Sequence, residues 1–283
     1  MRRHGLGRRL PRGVLHLLIV AGGVVMLYPL LWMIGSSLKP ESQIFSTSSI
    51  LPSTWTVSNY TQGWTGLGYS MTGFLVNSLV LCALCVAGNL ISCSLAAFAF
   101  ARLRFPLRKV LFALMLASIM LPLHATIVPQ YILFKYFGWI GTILPLVVPK
   151  FLAVDAFFVF LLVQFIRTIP RELDDSAEVD GCGRFRLFVR IILPLSIPAL
   201  ATTAIFTFLW TWGDFFTQLV YLSGNPASFT VPVALGAFVD STSQSSWGQL
   251  LAMSLVSLLP IFGFFIAFQR LLLDGISTTG LRG

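Results

Sequence analysis

The stretch Arg171–Pro194, RELDDSAEVDGCGRFRLFVRIILP, decides how the rest of the chain is read. The 283-residue chain has ten carboxylates, and five of them (Glu172, Asp174, Asp175, Glu178 and Asp180) fall within nine positions here. Arg184, Arg186 and Arg190 follow at once. Pro170 suits a first helical position, where its missing N–H leaves nothing unsatisfied. The acids behind it complement the positive end of a helix dipole. Leu173 and Ala177, four apart, share a helical face. Gly181 and Gly183 then interrupt the helix and let the chain turn. Phe185, Phe188, Val189 and Ile192 resume a helical period that runs into Leu193-Pro194. The pattern predicts helix, glycine turn, helix. From its charges alone the element reads equally as a docking knob for a soluble partner and as an ordinary solvated loop.

Around this stretch the chain is 56% hydrophobic and 10% charged, against about 25% charged in soluble domains. Spanning a bilayer takes about 20 apolar residues in a helix. Six segments qualify, near 14–36, 72–101, 109–130, 142–166, 194–222 and 248–273. The chain therefore reads as an all-α integral membrane protein, one transmembrane domain over residues 1–283, with a loop at 167–193 between the fourth and fifth spans. The first segment is longer than a signal-peptide core of about 7–15 residues, and no small-residue cleavage site follows it, so it is expected to be retained. Lys and Arg cluster in the N-terminal tail, in RLRFPLRK (Arg102–Lys109), in the 167–193 loop and at the C-terminal end. The positive-inside rule then places both termini and Arg171–Pro194 in the cytoplasm. The net charge of +9 is explained by loop orientation rather than by binding to nucleic acid. The outward loops, 37–71 and 223–247, carry Trp55, Tyr60, Trp64, Tyr69, Phe229 and Trp247. These read as an interfacial belt or as contacts to an external partner or a sugar.

Ionisable residues at membrane depth are costly and usually face a bundle interior or a cavity. The candidates are Lys150, Asp155 and Asp214. Lys150 and Asp155 are five positions apart, not the three or four that stack side chains on a helix, so a mutual pair is expected to be poorly placed. Asp214 lies in WTWGDFF beside Trp210 and Trp212. Asp214, Trp212 and Asp155 are the candidates for a solute path. The competing reading of Asp214 is an interfacial carboxylate that reaches headgroup water. Asn77, Asn89, Gln164 and Gln218 read as interhelical hydrogen-bonding groups. The pair Cys82 and Cys85, with Cys93, sits in one apolar run and reads as packing rather than redox chemistry. The chain has no G-x-x-x-x-G-K-[ST] phosphate loop and no Gly-x-Ser-x-Gly elbow. His4, His16 and His124 are scattered, without metal-ligand spacing. No catalytic or metal site is expected.

Asp175-Ser176-Ala177, three residues, Gly181, nine residues, then Ile191-x-Leu193-Pro194 resembles the EAA loop. That loop marks the membrane subunits of bacterial binding-protein-dependent ABC importers. Asp175 stands for the family's Glu and Ser176 for its first Ala. SSLKPESQIF, AAFAFARLRFP, LPLHATIVPQYILF, WTWGDFFTQLVYLS and QRLLLDGISTTGLRG are similar to the carbohydrate branch, closest to the maltose-type permease. The resemblance implies a type I importer permease fold with six spans and a cytoplasmic coupling helix, in the bacterial cytoplasmic membrane. It implies that Glu172, Leu173, Asp175, Ser176, Ala177 and Gly181 dock on a cytoplasmic ABC ATPase dimer. ATP and Mg would then be bound by that ATPase, with no cofactor on this chain. The other implied partners are a second homologous permease and an extracytoplasmic solute-binding protein or lipoprotein. The function implied is ATP-driven import of a sugar or related solute. A glycerophospho compound or another polar solute is the alternative cargo. The loop argues against an exporter, and scattered single polar residues argue against a membrane-embedded enzyme.

Overall fold

The structure, a computed structural model, describes residues 12–47, 49–239 and 246–280, and every regular element among them is helical. The tail arginines Arg2, Arg3, Arg8 and Arg9, and Arg282, lie outside the described residues. The main helices are α1 (Arg12–Ser37), α2 (Met71–Arg102), α3 (Arg108–Ser118), α4 (Leu123–Tyr136), α5 (Ala156–Thr168), α6 (Glu172–Val179), α7 (Ile197–Gly213), α8 (Phe216–Leu222) and α9 (Trp247–Gly280). Two compact units divide the chain: one takes in residues up to Gly66 and the start of α9, the other runs from Leu67 to Ala237 and includes the rest of α9.

Among the described residues, four helical stretches are long and apolar enough to cross a membrane: Gly13–Ser37, Met71–Arg102, Leu144–Thr168 and Trp247–Gln269. The pair Arg184–Leu195 and Ile197–Gly213 is long and apolar enough only when taken together, and it is bent by 76°, as in a broken span or a re-entrant loop. The stretch expected as a third continuous span, 109–130, is instead two shorter helices, α3 and α4, separated by Ile119–Pro122. The cause is Pro122, which has no N–H to continue the ladder and restricts the residue before it.

In the first unit, α1 carries its apolar residues exposed along most of its length. The loop after it is held by polar groups. Asn59 Nδ2 donates to the carbonyls of Ser37 and Lys39, both at 2.8 Å. Lys39 is fully buried and donates to Ser49 O and Thr47 Oγ1. Glu41 accepts from the N–H groups of Trp247 (2.9 Å) and Gly248 (2.8 Å), satisfying donors that the first turn of α9 would leave unpaired.

In the second unit α2 is the central post. It starts at Ser70, whose Oγ accepts from Thr72 N, and ends ahead of Pro106. It packs against α5, α7 and the 3₁₀ turn Val148–Leu152. Small residues make that approach close, as expected where lipid supplies no hydrophobic drive between helices. Cys93, Ala97 and Ala101 are buried against Phe158, Leu162 and Ile166. Gly88 goes further: a Cβ there would lie 2.9 Å from the Phe151 ring and 3.0 Å from Lys150 Cβ. Only glycine lets the 3₁₀ turn lie on α2 at this point.

Candidate functional site

Two places in the second unit bring chemistry-bearing residues together. The first is the acidic element. Helix α6 runs over Glu172–Val179, so it begins two residues later than Pro170. Gly181 has φ +73° and closes the helix: its N–H donates to Glu178 O (3.0 Å) and Cys182 N–H donates to Ala177 O (2.8 Å). This is the Schellman pattern, which places glycine where a side chain would strain the backbone. Gly183 is extended and caps a short helix, Arg184–Leu187, which passes into a π turn, Phe188–Ile192.

The inward face of α6 is not the one expected. Ala177 is buried in the core with Phe98, Ile166, Leu187 and Phe188, but Leu173 is 40% exposed. Asp174, three residues before Ala177, points inward instead. Its Oδ2 lies 3.2 Å from Nε of Arg102 at the end of α2. Arg102, buried, also donates through Nη2 to Ile169 O at 2.7 Å. Asp174 Oδ1 and Arg102 Nε are buried without a directed hydrogen bond. Burial pushes the Asp174 carboxyl above its ordinary range, and the neighbouring guanidinium offsets that only in part. Glu172, Asp175, Ser176 and Gly181 are exposed, and Ser176 Oγ donates back to Glu172 O. Val179 and Phe185 are 88% and 74% exposed. The element therefore turns one ion pair inward and presents acids and apolar side chains outward. Asp174 and Arg102 were not singled out from sequence; the three-residue spacing of Asp174 from Ala177 was the available signal.

The second place is a cavity of about 530 Å³ bounded by α2, α4, α7, α8 and the 144–155 segment. Lys150 and Asp155 do meet, contrary to expectation: Nζ lies 2.8 Å from Oδ2 and 3.1 Å from Oδ1. The spacing argument assumed a continuous helix. The chain is instead 3₁₀ over Val148–Leu152, and Ala153 then takes the left-handed conformation with φ +54°. That break folds Asp155 back towards Lys150. Asp155 Oδ2 also accepts from Asn89 Nδ2 (2.6 Å), and Asn89 reaches Thr207 Oγ1 (3.1 Å). Ser92 Oγ donates to Lys150 O at 2.6 Å. The pair is thus anchored to α2 on both sides.

Asp214 ends α7, and its Oδ1 accepts from Thr217 N–H at 3.0 Å, bridging the break before α8. It lines the cavity with Lys150, Asp155, Gln130, Tyr221 and Trp210. Trp212 does not line it: it is buried and stacks on Phe208, with 5.6 Å between centroids. Residues 210 and 214 are one helical turn apart and share a face, whereas 212 points away. Trp210 is the tryptophan that lines the cavity, held against Phe157 and Phe158 at 5.4 and 5.1 Å. Tyr221 Oη donates to Gln130 Oε1 at 3.0 Å.

The described residues thus form an all-helical chain with membrane-length apolar helices and a pinned amphipathic element. The family of binding-protein-dependent transport system inner membrane components matches residues 88–276, and the chain belongs to it. It is 31% identical to the galactooligosaccharides transport system permease protein of Bacillus subtilis, over 95% of this chain and 94% of that one. It is 30% identical to the trehalose transport system permease protein of Mycobacterium tuberculosis, over 91% of this chain and 93% of that one. Its fold matches a chain of a bacterial ABC transporter involved in import of the acidic polysaccharide alginate, with TM-score 0.80, 18% identity and coverage of 95% and 99%.

Proposed function

We propose that this chain is a permease subunit of an ATP-driven carbohydrate importer, with α6 as the helix that receives the ATPase stroke. The observation that carries the reading is the built asymmetry of α6. Arg102, Asp174 and Ala177 fix it to the end of α2, while Leu173, Val179 and Phe185 stand exposed among carboxylates beyond the spanning segments. Exposed apolar residues ringed by charge suit a protein contact. In this reading the ATPase dimer binds ATP and Mg, and Glu172, Leu173, Asp175, Ser176, Ala177 and Gly181 belong to the docking element. Both termini are cytoplasmic. The spans number six over the single domain 1–283, with α3 and α4 together forming a broken third span. A second homologous permease completes the path, and an extracytoplasmic solute-binding protein delivers cargo. The carbohydrate class is supported by relatives named for galactooligosaccharides and trehalose. The cavity at Asp155 and Asp214 is this chain's share of the solute path.

The test is co-purification of the ATPase with the tagged full chain carrying Val179→Asp and Phe185→Asp. Loss of the ATPase and of ATP-driven sugar uptake, with the chain's thermal midpoint unchanged, is the expected result. An intact complex that transports normally would refute the docking role.

A further inference from the structure

Resting on the reading of the cavity as part of the solute path, the geometry points to a charge filter: we propose that the cavity accepts uncharged or cationic polyhydroxylated solutes and rejects acidic ones, with Asp214 deciding. The bookkeeping of charge carries this. Three formally charged side chains line the space, Lys150, Asp155 and Asp214. Lys150 is held by both oxygens of Asp155, at 2.8 and 3.1 Å, so its charge is spent within the protein. Among the described residues no cation forms an ion pair with Asp214. One oxygen is occupied by Thr217 N–H, and the other has no hydrogen bond among the described residues. Asp214 is thus the uncompensated charge of the cavity.

The neutral groups fit the same class. Gln130 spends its carbonyl oxygen on Tyr221, which leaves its amide N–H groups to donate. Trp210, held by Phe157 and Phe158, offers an aromatic face. A pyranose has an apolar C–H face for such a ring and hydroxyls that donate to a carboxylate and accept from an amide. The volume, about 530 Å³, lies within the range of about 300–1,000 Å³ typical of small-molecule sites. A carboxylate or phosphate on the solute would meet Asp214 in a medium of low dielectric, where like charges repel strongly, and would find Lys150 already doubly paired. The ammonium of an amino sugar would find a counter-ion.

The test uses the full importer in membrane vesicles, with the four native cysteines of this chain replaced by alanine and a reporter at Gln130→Cys. Reaction rates are measured with cationic 2-(trimethylammonio)ethyl and anionic 2-sulfonatoethyl methanethiosulfonate, each normalised to its rate with a small free thiol. A cleft lined by one sign of charge concentrates the opposite sign by about tenfold or more, so a normalised cation preference of about tenfold is expected, falling about fivefold or more with Asp214→Asn. Equal normalised rates, a ratio unmoved by Asp214→Asn, or a reporter that neither reagent reaches would overturn the filter. Val154→Cys, a second exposed position on the cavity, gives the same readout if Gln130→Cys does not fold. A parallel uptake assay compares a neutral disaccharide with the corresponding uronate; the importer reading fails if no sugar is taken up with ATP, whereas the filter fails if both are taken up alike.

Discussion

Replacing the Arg102–Asp174 pair tests whether it is a fastener or a burden on the fold. The Arg102 side chain is 3% exposed and that of Asp174 18% exposed. The two single substitutions therefore differ. Asp174→Leu strands a guanidinium out of water with the Ile169 carbonyl as its remaining partner, and removing one member of a buried pair costs about 3–5 kcal/mol. Arg102→Met leaves a carboxylate that still touches water, and discounting for that exposure its cost is about 1–2 kcal/mol. The double substitution leaves neither charge stranded and restores apolar volume next to Phe98 and Leu187, so it is expected within about 1 kcal/mol of the parent. Intrinsic tryptophan fluorescence during heating in detergent reads the series. For a chain of this size Asp174→Leu lowers the midpoint by about 6–10 °C, Arg102→Met by about 2–4 °C, and the double variant by less than about 2 °C. Additive losses in the double variant, or a larger loss from Arg102→Met than from Asp174→Leu, would refute the reasoning. Uptake then separates stability from coupling: a stable double variant that no longer transports shows that the ion pair transmits motion rather than merely holding α6.

The Asp174 carboxyl is raised by burial, so its ionised form is disfavoured in the folded state. Stability therefore falls as pH climbs from the ordinary carboxylate value through the raised one, and returns on acidification. The midpoint of the parent, measured against Asp174→Asn, should rise as pH is lowered from neutral; a fall would contradict the burial argument. Gly181→Glu places a side chain at φ +73° with no atom within 4 Å of its Cβ, so its cost is backbone strain of about 1–2 kcal/mol, and pull-down of the ATPase should weaken without aggregation of the chain. Lys150→Met frees the Asp155 carboxylate inside the bundle and should abolish uptake, while Lys150→Met with Asp155→Leu should recover expression and thermal stability more than uptake.

Much of this was legible from residue order. Apolar length located both ends of α1 and α2 and the start of α9 within two residues, because a spanning helix must satisfy its own backbone, whereas α9 runs on to Gly280, seven residues past the apolar stretch. The 171–194 pattern located α6 and its glycine turn, because capping chemistry is local. The sequence was misleading where the backbone leaves the helix. The Lys150–Asp155 spacing was judged on an unbroken helix, and Ala153 at positive φ is not foreseeable from an alanine. Trp212 and Trp210 differ by two positions, and the turn spacing to Asp214 decided between them. Asp174 was hidden among five similar acids, because which one faces Arg102 depends on how α6 rolls against α2.

The polar knot on α2 also bears on how the chain is made. A lone lysine or aspartate near the centre of an inserting segment opposes entry into the bilayer by about 2.5–3.5 kcal/mol. The Leu144–Thr168 stretch carries both Lys150 and Asp155. Asn89, which donates to Asp155 Oδ2, and Ser92, which donates to the Lys150 carbonyl, lie about sixty residues earlier and leave the ribosome first. Lys150 and Asp155 offset each other within the segment, and α2, synthesised earlier, supplies the remaining partners; substitutions at Asn89 or Gly88 are therefore expected to lower the yield of membrane-inserted chain, read by protease protection, before any solute is carried.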